Sequence, residues 1–452
     1  MAPHSDGVRI LSLDGGGIRG LSSLLILEHL MERLCEAQGL KEVPRPCDCF
    51  DMIGGTSTGG IIAIMLGRLR MTVDECIRAY RKMAEQAFTP KRTTWLPASP
   101  SGAFSATAFE AAIRDTVKEF CPEAECAARR ASGHSTTSTC MHGEAEFRDP
   151  SCTSTVVLAI TKDNVDARPT LFTTYNTSMA LSGCTIWQVA RATSAATTFF
   201  KPIHIGRDDV EFIDAAFGYN NPCEVLIEEA RQRFPGRPLG QVVSIGTGLG
   251  DVVSIDDTRF SIIKALKEMA TTSKAVAGRL DDRFGGDGRY VRFNVERGLE
   301  DTTLSDWNKA SSISAHTRNY LSDNRRAVDQ FVATFLGRDQ QRDEIESEAV
   351  PRPLLLNRPC IRKNQDAAKL LGFIARVESK AIPRSMLPSA GSEQRMTRAI
   401  GVLCGYSFLS RREDGTTYDM HRLVHLALRV WVNKQDAAAE QRREDLVEAE
   451  RQ

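Results

Sequence analysis

The chain has 452 residues, 42% hydrophobic and 26% charged, an ordinary globular composition long enough for one large domain and a smaller one, or for two or three compact ones. Its 58 Lys and Arg balance 58 Asp and Glu, so global basicity gives no case for a nucleic-acid partner. No stretch approaches the ~20 apolar residues of a membrane-spanning helix, and the first residues lack the basic and apolar segments of a signal peptide, so a cytoplasmic protein is expected. The 12 cysteines show no regular spacing and are expected as reduced thiols. Cys47 and Cys49 read as structural.

Up to Phe335, short β-branched runs alternate with helical periods, which predicts an α/β sheet. Strands are expected at 8–13, 50–53, 155–160, 171–174, 210–213, 242–245 and 290–293. Helices are expected at 21–36, 59–69, 73–86, 106–119, 186–192, 224–233 and 262–280, and Val328, Phe331, Val332 and Phe335 give a last helix one buried face. Residues 126–150, rich in Ser, Thr, Gly, Cys and charge without an apolar period, read as a mobile surface insertion. Residues 337–363 read as an interdomain linker. Beyond it come helical runs at 367–377 and 396–405, a hairpin at 408–420 turning at Glu413, Asp414 and Gly415, a helix at 423–432 and a charged tail from Asp436. Helices flanking a hairpin suggest a small winged-helix module.

The first chemical motif is Asp14-Gly15-Gly16-Gly17-Ile18-Arg19-Gly20, between a predicted strand and a predicted helix. Gly15, Gly17 and Gly20 satisfy the dinucleotide-binding pattern G-x-G-x-x-G. A dinucleotide site also wants an acid ~20 residues on, at the end of a second strand, where this chain has a helix running into a loop. What the glycines supply is exposed backbone N–H groups at a helix start, which stabilise an anion, a short-lived oxyanion included.

The second motif, Gly55-Thr56-Ser57-Thr58-Gly59, is G-x-S-x-G between strand and helix, the setting of a nucleophile elbow. A serine hydroxyl needs a base. His316 lies on an ordinary helix with no turn around it and His204 in a β-like run, so a surface or capping role suits both better than a Ser-His triad. Asp214 ends a predicted strand and enters a turn of small residues, Ala215-Ala216-Phe217-Gly218, where an α/β sheet presents catalytic groups. A Ser57–Asp214 dyad is the simplest reading. No H-E-x-x-H or calcium loop is present, Asp163, Asn164 and Asp166 being too few and too short for one, so neither metal nor cofactor is expected.

The ordered set DGGGIRG (14–20), GTSTGG (55–60) and DAAFGYNNP (214–222), with Ala192-Thr193-Ser194-Ala195-Ala196 before the last, resembles the patatin-like phospholipase family. The resemblance implies a three-layer α/β/α sandwich with a nucleophile elbow. It implies a lipid acyl hydrolase with Ser57 as nucleophile, Asp214 as general base and Gly15, Gly16 and Gly17 as oxyanion-hole amides, acting on phospholipid or acylglycerol at a transiently touched membrane surface. Asp14, Gly20, Gly55, Gly59, Ala215 and Ala216 support these motifs, as does Arg19, which steadies the loop or meets an anionic head group. Ala215 stands where the family usually has glycine. If that position needs positive φ, the methyl group strains the turn by about 1 kcal/mol. The alternative is therefore a weakly active interaction or immune-signalling scaffold of the fungal NLR-like type.

Residues 399–425 resemble the winged-helix end of fungal NB-ARC signalling ATPases, with Met420-His421 of that family's Met-His-Asp motif and Arg422 in the third place. The chain has no G-x-x-x-x-G-K-[ST], so ATP binding is not expected. The implied organisation is a patatin-like domain at 7–336, a linker at 337–363, a winged-helix-like remnant offering a protein partner a surface at 364–435, and a charged tail at 436–452.

Overall fold

The computed structural model describes residues 7–88, 104–134, 139–164, 168–175, 179–196, 199–248, 260–299 and 302–337, and scattered residues between 369 and 425. The chain divides into two compact units, Met1–Glu344 and Ile345–Gln452.

The first unit is built on an eight-stranded mixed sheet. Its strands are β1 (Val8–Leu13), β2 (Met52–Thr56), β3 (Ser154–Thr161), β4 (Thr170–Thr173), β5 (Ile203–Ile205), β6 (Val210–Asp214), β7 (Leu239–Ile245) and β8 (Tyr290–Phe293). The order is β5-β6-β3-β2-β1-β7-β8, with β4 also on β3. β3, β2, β1, β7 and β8 run parallel, whereas β4 and β6 lie antiparallel to β3 and β5 antiparallel to β6. β1 and β2 are apolar and buried almost throughout, as parallel strands covered on both faces must be. Successive residues feed opposite faces: Leu11, Leu13, Ile53, Val157 and Val243 join one core cluster. Ile10, Met52, Val156, Leu158 and Val242 join the other.

The helix Gly20–Gln38 lays Leu21, Leu24, Leu27, Met31 and Leu34 into the larger core and ends at Gly39, whose φ of 63° continues the chain in the left-handed region. The helix Val73–Ala87 starts on a capping box of Thr72 and Glu75 and buries Tyr80 and Met83. β5 is an added three-residue strand, too short to show a period in sequence.

The described residues of this segment, 126–134 and 139–150, are not a loose insertion. The helix Ala124–Ala131 and the 3-10 turn His142–Glu144 occupy them, Cys126, Cys140 and Phe147 are buried, and Glu146 forms a β-bridge to Thr185. Buried sulfur and one aromatic ring fix a segment whose composition reads as polar.

In the second unit Ser410–Arg411 pairs antiparallel with Thr417–Asp419, and Ile382–Pro383 adds a third short strand. The predicted turn at 413–415, residues 421–422, the helix at 423–432 apart from His425, and the tail at 436–452 lie outside the described residues, as does the linker beyond Gly337. Among the described residues no helix is long and apolar enough to cross a membrane.

Candidate active site

Ser57 sits between the end of β2 and the helix Thr58–Ala63 with φ 54° and ψ −126°, a conformation L-residues rarely adopt. The turn closes because its flanks are glycines: a Cβ on Gly55 would lie 2.1 Å from the Gly59 carbonyl oxygen, and one on Gly59 2.2 Å from that of Leu13. The Ser57 amide donates to Thr193 Oγ1 at 2.8 Å, and that hydroxyl donates to the Leu158 carbonyl at 2.7 Å. The strained elbow is thereby tied to β3.

Ser57 Oγ donates to Asp214 Oδ2 at 2.6 Å, while Asp214 Oδ1 accepts the Ala216 amide at 2.9 Å. Asp214 does end a strand, but β6 runs against β3. It reaches the elbow because register sets it opposite Ala159, one residue past Leu158, the partner of Thr56. Burial pushes the Asp214 carboxyl up to about 7, against the opposing pull of the hydrogen bonds from Ser57 and Ala216. That suits a group that must take and return a proton near neutrality.

Ala215 has φ −78° and ψ −1°, ordinary right-handed backbone. The strain expected from its methyl group is absent, because the turn needs no positive φ there.

The glycine loop follows β1. Gly15 N–H donates to the Asn220 carbonyl at 3.1 Å and is not free for an oxyanion, a correction to the expected trio. The amides of Gly16 and Gly17 have no hydrogen-bond acceptor among the described residues, and both glycines line the cavity beside Ser57. Gly17 has φ 54°, and a Cβ there would lie 2.2 Å from the Leu304 carbonyl oxygen. The Thr247 hydroxyl donates to Gly15 O at 2.7 Å and Tyr80 OH donates to Gly17 O, fixing both ends of the turn. On Gly20 a Cβ would strike the Thr58 methyl group at 2.2 Å, so loop and elbow helix touch there.

Arg19 is 1% exposed. Its guanidinium donates to the Thr302 carbonyl, at 2.8 Å from Nε, and to the Gly248 carbonyl at 3.0 Å. It holds the loop; a head-group contact is ruled out by its burial. Asp14 is paired inside the protein with Arg292, whose Nη2 lies 2.6 Å from Oδ2. Burial alone would lower the Arg292 guanidinium, but the Asp14 carboxylate outweighs it and holds it above its ordinary value. Arg292, Asn220, Thr193 and Thr247 thus support the site from distant positions.

Neither histidine meets Ser57. His204 is exposed, with Nδ1 3.1 Å from the Asp209 carbonyl oxygen, and His316 packs on the helix Ala310–Asp323 against Gly298. The cavity before Ser57 and Asp214 encloses about 860 Å³ including its open mouth. Its walls are mainly apolar: Ile61, Met83, Ala84, Ala87, Phe88, Phe109, Phe199, Phe200, Met269 and Leu304. Phe109 stacks on Phe200 at 4.9 Å between ring centroids. The arrangement offers a nucleophile, a base, two free amides and an apolar slot with room for a long apolar group. Away from these walls, the ligand atoms of Cys121, Cys126, Cys140 and His142 all lie within 4.8 Å of one another.

Residues 11–227 match the patatin-like phospholipase family and make up a patatin-like phospholipase domain. Calcium-independent phospholipase A2-gamma of Rattus norvegicus is 30% identical over 306 residues, 64% of this chain and 35% of that protein. Patatin-like protein 1 of Oryza sativa subsp. indica is 28% identical over 389 residues, 75% of this chain and 84% of that protein. Among solved structures, human GIVD cytosolic phospholipase A2 aligns with a TM-score of 0.36 at 12% identity, covering 73% of this chain and 60% of that one. The chain spans about a third of the length of the mammalian relative, 35%.

Proposed function

We propose that the patatin-like phospholipase domain at residues 11–227 is a serine lipid acyl hydrolase of phospholipase A or acylglycerol lipase type, acting through Ser57 and Asp214. The observation that carries this reading is the 2.6 Å hydrogen bond from Ser57 Oγ to Asp214 Oδ2 at the end of an apolar cavity. In the first step Ser57 Oγ bonds to the ester carbonyl carbon and its proton passes to Asp214, while the oxyanion accepts from the Gly16 and Gly17 amides. The carbon–oxygen bond to the alcohol then breaks, and Asp214 returns the proton to the departing oxygen. Water repeats the sequence on the acyl-enzyme and releases the fatty acid with Ser57 restored.

Substrate class follows from the walls: their mainly apolar side chains suit an acyl tail. Ala215 has ordinary backbone, so strain in that turn gives no support to the low-activity scaffold alternative. The test is ester hydrolysis on a panel of phospholipids and triacylglycerol by wild type, Ser57→Ala and Asp214→Asn. The account expects both variants to lose at least ~10³-fold in turnover, and equal rates for all three would sink it.

The finer readings belong to the same proposal: a three-layer patatin-type sandwich at 7–336, a peripheral, cytoplasmic enzyme that touches a lipid surface when active, and a winged-helix-like partner module at 364–435. The last draws on the short antiparallel strands Ser410–Arg411 and Thr417–Asp419. Deleting 364–435 would leave hydrolysis of a soluble short-chain ester intact if the module serves only a partner.

A further inference from the structure

Cys121, Cys126, Cys140 and His142 are separated by 4, 13 and 1 intervening residues in sequence, too uneven a spacing to declare itself. The structure folds them together: their ligand atoms all lie within 4.8 Å of one another. His142 Nδ1 is 3.3 Å from Cys121 Sγ, 3.7 Å from Cys126 Sγ and 3.4 Å from Cys140 Sγ. A tetrahedral ion with metal–sulfur bonds near 2.3 Å and a metal–nitrogen bond near 2.0 Å would set each sulfur about 3.5 Å from that nitrogen.

Packing alone does not account for the cluster. The three cysteines are buried at 1%, 7% and 5% exposure and form a core patch of their own, with no aliphatic or aromatic member among the described residues. Three sulfurs gathered about one imidazole nitrogen instead make a ligand set. The local backbone is already arranged around it. The His142 N–H donates to Cys140 Sγ at 3.4 Å, and Arg130 Nη1 donates to the Cys121 carbonyl at 3.2 Å and the Glu119 carbonyl at 3.0 Å.

We propose that Cys121, Cys126, Cys140 and His142 bind one structural zinc ion. Three thiols give up their protons to the solvent on binding, neutral His142 ligates through Nδ1 with its proton on Nε2, and the centre carries one net negative charge. Four protein ligands close the coordination sphere, which makes the ion a staple and not a catalyst. It joins the end of the helix Ala106–Glu119, which bears the cavity residue Phe109, to the turn His142–Glu144. From that turn Glu144 reaches Arg114 and Trp187, each at 2.6 Å. The site is independent of the hydrolase reading, since none of its ligands lines the cavity.

The full chain, purified without added metal or chelator, is analysed by elemental mass spectrometry and by zinc release with an organomercurial. One zinc per chain is expected, retained in the control Cys35→Ser and weakened at least ~10-fold in His142→Ala, a change at an exposed residue. Because Cys126→Ser could fail to fold, a second readout uses wild type alone: cobalt exchanged into the protein should give thiolate-to-metal charge transfer and the intense visible bands of tetrahedral coordination. Metal-free protein that takes up neither ion overturns the proposal. So does a thiol titration of the unreduced, denatured chain that finds a disulfide among these cysteines.

Discussion

Thr193 Oγ1 stands between the Ser57 amide, at 2.8 Å, and the Leu158 carbonyl, at 2.7 Å, so one buried hydroxyl ties the strained elbow to the neighbouring strand. Thr193→Val keeps the shape and removes both bonds, leaving a donor and an acceptor unpaired at about 1–3 kcal/mol each. Urea unfolding should show that loss, and ester turnover should fall at least ~10-fold as Ser57 leaves its place. Thr193→Ser restores both bonds and should recover most of each.

Activity should depend on a single ionisation at the acid side. Asp214 accepts the Ser57 proton only as carboxylate, and burial holds its carboxyl at about 7. The kcat/KM of a neutral ester should therefore fall about tenfold per pH unit well below 7 and level off above it. An acid limb near 4 would mean that the carboxyl is solvated during catalysis. His316→Ala should leave the profile unmoved.

Ala215 departs from the glycine its family usually carries but costs nothing in backbone terms at φ −78°. Ala215→Gly should not raise turnover by more than ~2-fold, and it should destabilise the fold by about 0.5–1 kcal/mol through the freer unfolded chain. A large gain in rate would revive the strained-turn alternative.

Two left-handed glycines separate backbone strain from crowding. Gly39 has φ 63° and nothing within 4 Å of a Cβ, so Gly39→Ala should cost about 1 kcal/mol and leave activity alone. At Gly17, φ 54° combines with a Cβ 2.2 Å from the Leu304 carbonyl oxygen. Gly17→Ala must displace the loop, and if its amide holds the oxyanion, turnover should drop by ~10²-fold or more. Thermal melts beside rates distinguish the two.

Much of the site could be read from the sequence because its geometry demands particular residue types. Gly55 and Gly59 flank Ser57 since neither has room for a Cβ. Asp214 was found by a strand-end rule that holds only loosely here: β6 is antiparallel, and cross-strand register, invisible in sequence, delivers the carboxylate. The trio of glycine amides shrank to two because Asn220, 205 positions from Gly15, takes one of them, which no local pattern encodes. The same reason hid Arg292 behind Asp14 and scattered the four ligands of the cysteine cluster. β5, with three residues, offers too little period to detect.

The central claim is that Asp214 activates Ser57 without a histidine, and labelling by a fluorophosphonate tests it most directly, since the reagent needs an activated serine but no lipid surface. The account predicts one adduct per chain, on the peptide containing Ser57, with labelling at least ~10²-fold slower in Asp214→Asn and unchanged in His316→Ala. An adduct on another serine, or an undiminished labelling rate in Asp214→Asn, would contradict it.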